Sequence, residues 1–166
     1  TPQTVTVTGV NDSVADGDVA YSVVIAPAVS TDPNYNGFNP SDVSVTNVDD
    51  DPVGVVVSPT SGLVTSEAGG QATFTVKLTS QPTANVTIAL SSSNTNEGTV
   101  SPSSLTFTPA NWLTPQTVTV TGVDDSVVDG NVAYSIVTAP AVSTDPAYNG
   151  VNPSDVSVTN VDNDPV

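Results

Sequence analysis

The stretch "QATFTVKLT", residues 71–79, decides the fold. Ala72, Phe74, Val76 and Leu78 occupy alternate positions, with Thr, Lys and Gln between them. Successive strand side chains point to opposite faces, so a period of two marks a strand with one buried face. The same alternation continues outward. "NVTIALS" (85–91) places Val86, Ile88 and Leu90 inward, "SLTFT" (104–108) Leu105 and Phe107, and "QTVTVTGV" (116–123) Val118 and Val120. "GVVVS" (54–58), "VAYSIVT" (132–138) and "SDVSVTNV" (154–161) complete a set of seven. Gly, Pro, Asn and Asp turns separate them, and no apolar helical period competes. This pattern predicts an all-β, immunoglobulin-like Greek-key β-sandwich, with Trp112 and Tyr134 as core anchors.

A long internal repeat sets the domain organisation. "TPQTVTVTGV" occurs at residue 1 and again at 114, and "PSDVSVTNVD" at 40 and 153. The offset is 113 throughout, with 8 differences across 53 aligned positions. A period of this length suits tandem sandwich modules rather than a solenoid. Residues 54–166 hold one full period, and residues 1–53 match the second half of a preceding one, expected to contribute its final three strands. Half a sandwich exposes a sheet face and open edges, so 1–53 is expected not to fold alone. Its missing strands would come from a longer array or from a neighbouring chain. Only "DDDPV" (49–53) separates the two modules, and Pro52 stiffens that joint, so a rod with restricted bending is expected.

Composition narrows the function. The formal charge is −16, with 17 acidic residues and one basic one, Lys77. Nucleic acid and anionic membrane both need basic surface, so neither is expected as a partner. No run of about 20 apolar residues would insert into a bilayer. The chain has no Cys, Met or His, which predicts a processed product or an internal stretch of a longer protein, without disulfides. Ser and Thr are abundant, but none has an activating base nearby in sequence, so no enzyme is expected.

The acids are clustered at the ends of the predicted strands. Glu67 lies in "TSEAGG", Glu97 in "NTNEGT", Asp124, Asp125 and Asp129 in "VDDSVVDG", and Asp162 and Asp164 in "VDNDP". Two like charges ~5 Å apart repel by roughly 3 kcal/mol at an effective dielectric of ~20. Such clusters must be solvated or given a cation. Strand ends gather at the poles of a sandwich, so all seven carboxylates could meet at one pole. Hard cations such as Ca²⁺ take 6–8 oxygens, and seven carboxylates with Asn163 could hold more than one ion. Asp32, Asp42, Asp145 and Asp155 stand apart from these clusters and read as solvated turns.

The full unit resembles the Calx-beta domain. The residues that carry the resemblance are the early Glu67, the acid-Gly pair Glu97–Gly98, the "DD-x3-[DE]" run from Asp124 to Asp129, and the terminal triplet at 162–164. The resemblance implies Ca²⁺ ligands at Glu67, Glu97, Asp124, Asp125, the Val127 carbonyl, Asp129, Asp162 and Asp164. In the half unit the counterparts are Asp12, Asp16, Asp49, Asp50 and Asp51. The sequence departs from the pattern where Asn11 replaces an acid of the pair and Asn163 the middle acid of the triplet. The half unit also lacks counterparts of Glu67 and Glu97.

The functional expectation is a Ca²⁺-binding structural repeat of a long extracellular bacterial protein, a calcium-rigidified extender of a cell-surface adhesin. Its partners would be neighbouring repeats of the same protein. Two alternatives stand beside it: a filament or matrix subunit assembled with identical chains by strand complementation, and a carbohydrate-binding module.

Overall fold

A computed structural model describes residues 1–165. The expected end of the second module at Val166 lies outside them. Secondary structure among the described residues is all-β, and no helix is long and apolar enough to cross a membrane. The chain divides into two compact units, one made of Thr1–Asp12 and Asp16–Asp50, the other of Ser13–Ala15 with residues from Asp51 onward.

The first unit contains one antiparallel hairpin of β1 (Val19–Val23) and β2 (Val43–Asn47). Val19 faces Asn47 across it, and Val23 faces Val43. The segment before it, expected as a third strand, carries none. A strand is defined by its ladder partners, and this segment has no counterpart of the strands that flank residues 116–122 in the other unit.

The second unit is a two-sheet sandwich. One sheet runs in the order β3 (Val55–Ser58), β5 (Gln71–Leu78), β9 (Gln116–Gly122), β7 (Gly98–Ser101). The other runs β11 (Val142–Ser143), β6 (Val86–Ser92), β10 (Val132–Thr138), β12 (Val156–Val161), β4 (Leu63–Ser66), with β8 (Ser104–Phe107) also on β6. The β12–β4 pair is parallel and every other pair is antiparallel. All seven predicted strands form within a residue or two of their expected ends. Three short ones were not predicted: β4, β7 and β11 have two to four residues each, too few for alternation to stand out.

The alternating residues of β5 and β9 meet those of β6, β8, β10 and β12 between the sheets. Phe74, Leu78, Ile88, Phe107, Val118 and Ile136 are completely or almost completely buried. Each such side chain contributes roughly 1.5–3 kcal/mol of hydrophobic stabilisation. Tyr134 is buried as expected, while Trp112 is only partly buried at the edge of the core. The larger anchor is Tyr148. It lies wholly buried beyond the strands, and its hydroxyl donates to the Ser80 carbonyl at 2.7 Å.

Asp145 is not a solvated turn. It is 3% exposed, and its carboxylate accepts the Thr83 N–H at 2.7 Å and the Ala147 N–H at 2.9 Å. Asp155 similarly accepts the Thr138 N–H, and Asp42 the Ile25 N–H. These acids tie loops to strand ends. Asp32 matches the expectation: it is exposed and caps its own turn by accepting the Asn34 N–H.

Candidate metal centre

The acids of the complete module come from four places. Glu67 follows β4, in a turn where the Gly69 and Gly70 N–H groups donate to the Ser66 carbonyl. Glu97 lies just before β7. Asp124, Asp125 and Asp129 follow β9, and Asp162 and Asp164 follow β12. Parallel pairing brings the ends of β4 and β12 together, with Val161 beside Ser66. The Glu67 N–H donates to the Val161 carbonyl at 3.1 Å. Gly122, at the end of β9, has no room for a side chain, because a Cβ there would collide with the Ser66 carbonyl and with Asn160. That close approach brings the β9 acids up to Glu67.

Two groups of three carboxylates result. Oxygens of Glu67, Asp125 and Asp164 lie within 4.8 Å of one another, and so do oxygens of Glu97, Asp125 and Asp129. Asp125 belongs to both. Glu67 and Glu97 are buried, 3% and 5% exposed, which sequence reading placed only at a pole.

Fixed hydrogen bonds hold the frame. The Asn163 N–H donates to Glu67 Oε2 at 3.0 Å, and Asn163 Nδ2 to Asp124 Oδ1 at 3.3 Å. Asp162 accepts the Asp164 N–H on one oxygen and the Gly130 N–H on the other, both at 2.8 Å. Asp125 accepts the Val127 N–H at 2.7 Å. The Val127 carbonyl, an expected ligand, accepts the Asp129 N–H at 2.8 Å.

Charges respond to this crowding. The N–H groups of Asp164 and Gly130 hold Asp162 below the usual carboxylate range. The Asn163 N–H pulls Glu67 down, but burial and the charges of Asp162, Asp125 and Asp164 outweigh it, and the net shift is upward. Asp164 is raised, first by burial and then by Asp162, Asp124, Asp125 and Asp129. Its Oδ2 is buried without a hydrogen-bond partner among the described residues.

The half unit repeats part of this frame. Asp49 accepts the Gly17 N–H at 2.7 Å, as Asp162 accepts that of Gly130. Asp12, Asp16, Asp49 and Asp50 belong to the first unit and Asp51 to the second. Neither carboxylate trio contains any of these five.

Sequence reading missed the buried polar chain behind Glu97. Asn160 Nδ2 donates to Glu97 Oε2 at 3.3 Å and to the Val123 carbonyl at 3.1 Å, and Thr65 Oγ1 donates to Asn160 Oδ1 at 3.0 Å. Thr65 also bonds the Tyr134 hydroxyl at 3.1 Å. A signal was present: Asn160 occupies an inward position of β12, in line with Val156 and Val158. A polar residue there demands buried partners.

No family model and no curated protein matches the chain. Among solved structures it is similar to the apo-form Calx CBD1 domain, with a TM-score of 0.51 and 16% identity over 68% of this chain and 98% of that one. The calcium binding domain CBD12 of CALX1.1 gives a TM-score of 0.48 and 17% identity, over 66% of this chain and 44% of that one. Domains 4 and 5 of the S-layer protein SbsC give 0.42 and 19%, over 89% and 78%. At these identities the likeness concerns fold, and the fold is a Calx-beta-like β-sandwich.

Proposed function

We propose that the complete module binds Ca²⁺ in its two carboxylate trios and serves as a structural repeat of an extracellular bacterial protein. Asp164 Oδ2 carries the reading, as a buried oxygen without a donor inside a ring of acids. An anion left bare in that position is disfavoured unless a proton or cation answers it. Ca²⁺ takes oxygens at 2.3–2.6 Å, so two ligands of one ion lie within about 5 Å of each other, and the oxygens of each trio lie within 4.8 Å of one another. Glu67 and Glu97 supply the buried walls, Asp125 joins the two groups, and Asp164 and Asp129 close them. Bound Ca²⁺ would supply the positive charge that lets these carboxylates stay ionised together. Asp124, Asp162, Asn163 and the Val127 carbonyl orient the loops, and each keeps oxygen lone pairs for an ion.

The test is calorimetric titration of the metal-stripped chain with Ca²⁺, followed by thermal melting. We expect heat on binding and a rise in melting temperature. Absence of both at millimolar Ca²⁺ overturns the reading. A site filled to 100 times its dissociation constant adds about 2.7 kcal/mol to the bound form.

In the protein at large the module acts as an extender of a cell-surface adhesin, in which Ca²⁺ stiffens the joint at Asp49–Val53. The role is mechanical rather than enzymatic. Small-angle scattering on two complete tandem modules, with Ca²⁺ and with chelator, tests this part: superimposable profiles with Ca²⁺ bound would remove the stiffening.

A further inference from the structure

The hairpin and the loops of the first unit are built like those in the second half of the complete module. Val19–Asn47 and Val23–Val43 pair across its hairpin as Val132–Asn160 and Ile136–Val156 pair in the other unit. Asn47 Nδ2 donates to the Val10 carbonyl at 2.9 Å, as Asn160 Nδ2 does to that of Val123. The loop closed by Ala28 N–H to the Phe38 carbonyl repeats the one closed by Ala141 and Val151, both at 2.8 Å.

Burial is what differs. Val5, Val43 and Tyr35 are 80%, 51% and 64% exposed, while their counterparts Val118, Val156 and Tyr148 are all 0% exposed. Two apolar grooves mark the face. One, of about 250 Å³, is lined by Gln3, Val5, Val7, Val23, Ile25 and Val43, and the other, of about 520 Å³, by residues that include Val10, Val19 and Tyr21. In the complete module the equivalent face is filled by Phe74, Val76, Ile88, Leu90 and Phe107, all from residues 54–113.

We propose that this face is a docking surface for a polypeptide with the sequence of residues 54–113, carried by another repeat of the same kind. The repeat names the occupant, since a near-identical face is covered by that segment within this chain. It also fixes the register. By the offset of 113, Val5 takes Phe74 of the incoming segment as its strand partner, Val7 takes Ala72 and Val100, Val23 takes Ser92, and Val45 takes Leu63. Tyr35 then finds the carbonyl of Ser80, as Tyr148 does. Both hairpin edges and the segment before the hairpin gain ladder partners, so backbone bonding and side-chain burial arrive together.

The experiment uses the full chain in two forms. In the first, a second copy of residues 54–113 is placed directly before Thr1, which recreates the Leu113–Thr114 junction. We expect amide exchange at Val5, Val7 and Tyr21 to slow by about a hundredfold or more, toward that of Val118, Val120 and Tyr134. In the second, labelled 54–113 is added to the unmodified chain, and Tyr21→Asp should weaken its capture by about tenfold or more. Unchanged exchange in the joined form overturns the proposal. So does capture in the second form that is indifferent to Tyr21→Asp, which would place the segment in the complete module by exchange. Self-association of the chain without added segment, abolished by Tyr21→Asp while residues 54–113 keep the exchange rates of the closed module, would assign the face to a different contact and overturn it as well.

Discussion

At Asp125 the two carboxylate trios share one side chain. Asp125→Asn keeps an oxygen to accept the Val127 N–H but removes one charge from both groups. We expect it to weaken Ca²⁺ binding by about tenfold or more, about 1.4 kcal/mol, and by more than Glu67→Gln or Asp129→Asn, each of which touches one group. Asp32→Asn, in an exposed turn, should leave the titration unchanged. Equal losses at all four positions would mean diffuse charge rather than a site. A pH effect follows from the same crowding. Glu67 and Asp164 titrate above their ordinary values, so the stability they contribute is fully present below about pH 4 and is lost as pH rises through the raised values. Asp162, held low, has the opposite sign, and its contribution disappears only below the ordinary range. The metal-stripped module should therefore melt higher at about pH 5 than at about pH 7. The Ca²⁺-saturated module should lose that gain, because protons compete for the same oxygens. A metal-free melting temperature that rises from about pH 5 to about pH 7 would contradict the assignment.

At the scale of elements, the long strands were legible because each buries three alternate residues and β8 because it buries two, whereas the missed β4, β7 and β11 bury at most one each. β4 holds three of its four side chains partly exposed or more, and it is fixed by its parallel seat beside β12 rather than by pattern. The acids of the site could be located from strand ends, since each follows or precedes a strand. Their grouping could not, because it depends on that parallel pair and on Gly122 fitting against the Ser66 carbonyl. Gly122→Ala should cost about 1–3 kcal/mol in urea unfolding, from the forced shift of backbone, and should weaken Ca²⁺ binding as the β9 acids move away from Glu67. Asp145 misled because an Asp-Pro pair reads as a turn in any context, whereas the bond from Thr83 crosses a gap of 62 residues. Asp145→Ala leaves two N–H groups without their acceptor, and a loss of about 2–5 kcal/mol is expected, with Ca²⁺ binding retained in whatever fraction stays folded.

For the whole molecule, two stretches of nearly the same sequence have different surroundings. Their amides carry almost the same intrinsic chemistry, so exchange rates compare environments directly. Val19–Val23 should exchange far faster than Val132–Ile136 in the full chain, by about a hundredfold or more. Equal protection would show that the first unit holds its structure without a covering half. Stability of the second unit comes from a core that closes on itself, so urea should give one cooperative transition reporting Tyr134 and Tyr148, with Tyr21 and Tyr35 insensitive to it.

The matched hairpin registers have a consequence for synthesis. A chain made from its N-terminus presents residues 1–113 before residues 114–166 exist. During that interval the first 53 residues already offer 54–113 the kind of face it packs on in the complete module. When the later copy emerges, it competes for the same cover with a rival that differs at 8 of 53 positions. Folding here is a choice between near-equal suitors, settled by chain order and by a few side chains such as Ile136 in place of Val23. Protein refolded from denaturant meets both suitors at once, and its ratio of the two outcomes is set differently from that of protein folded during translation.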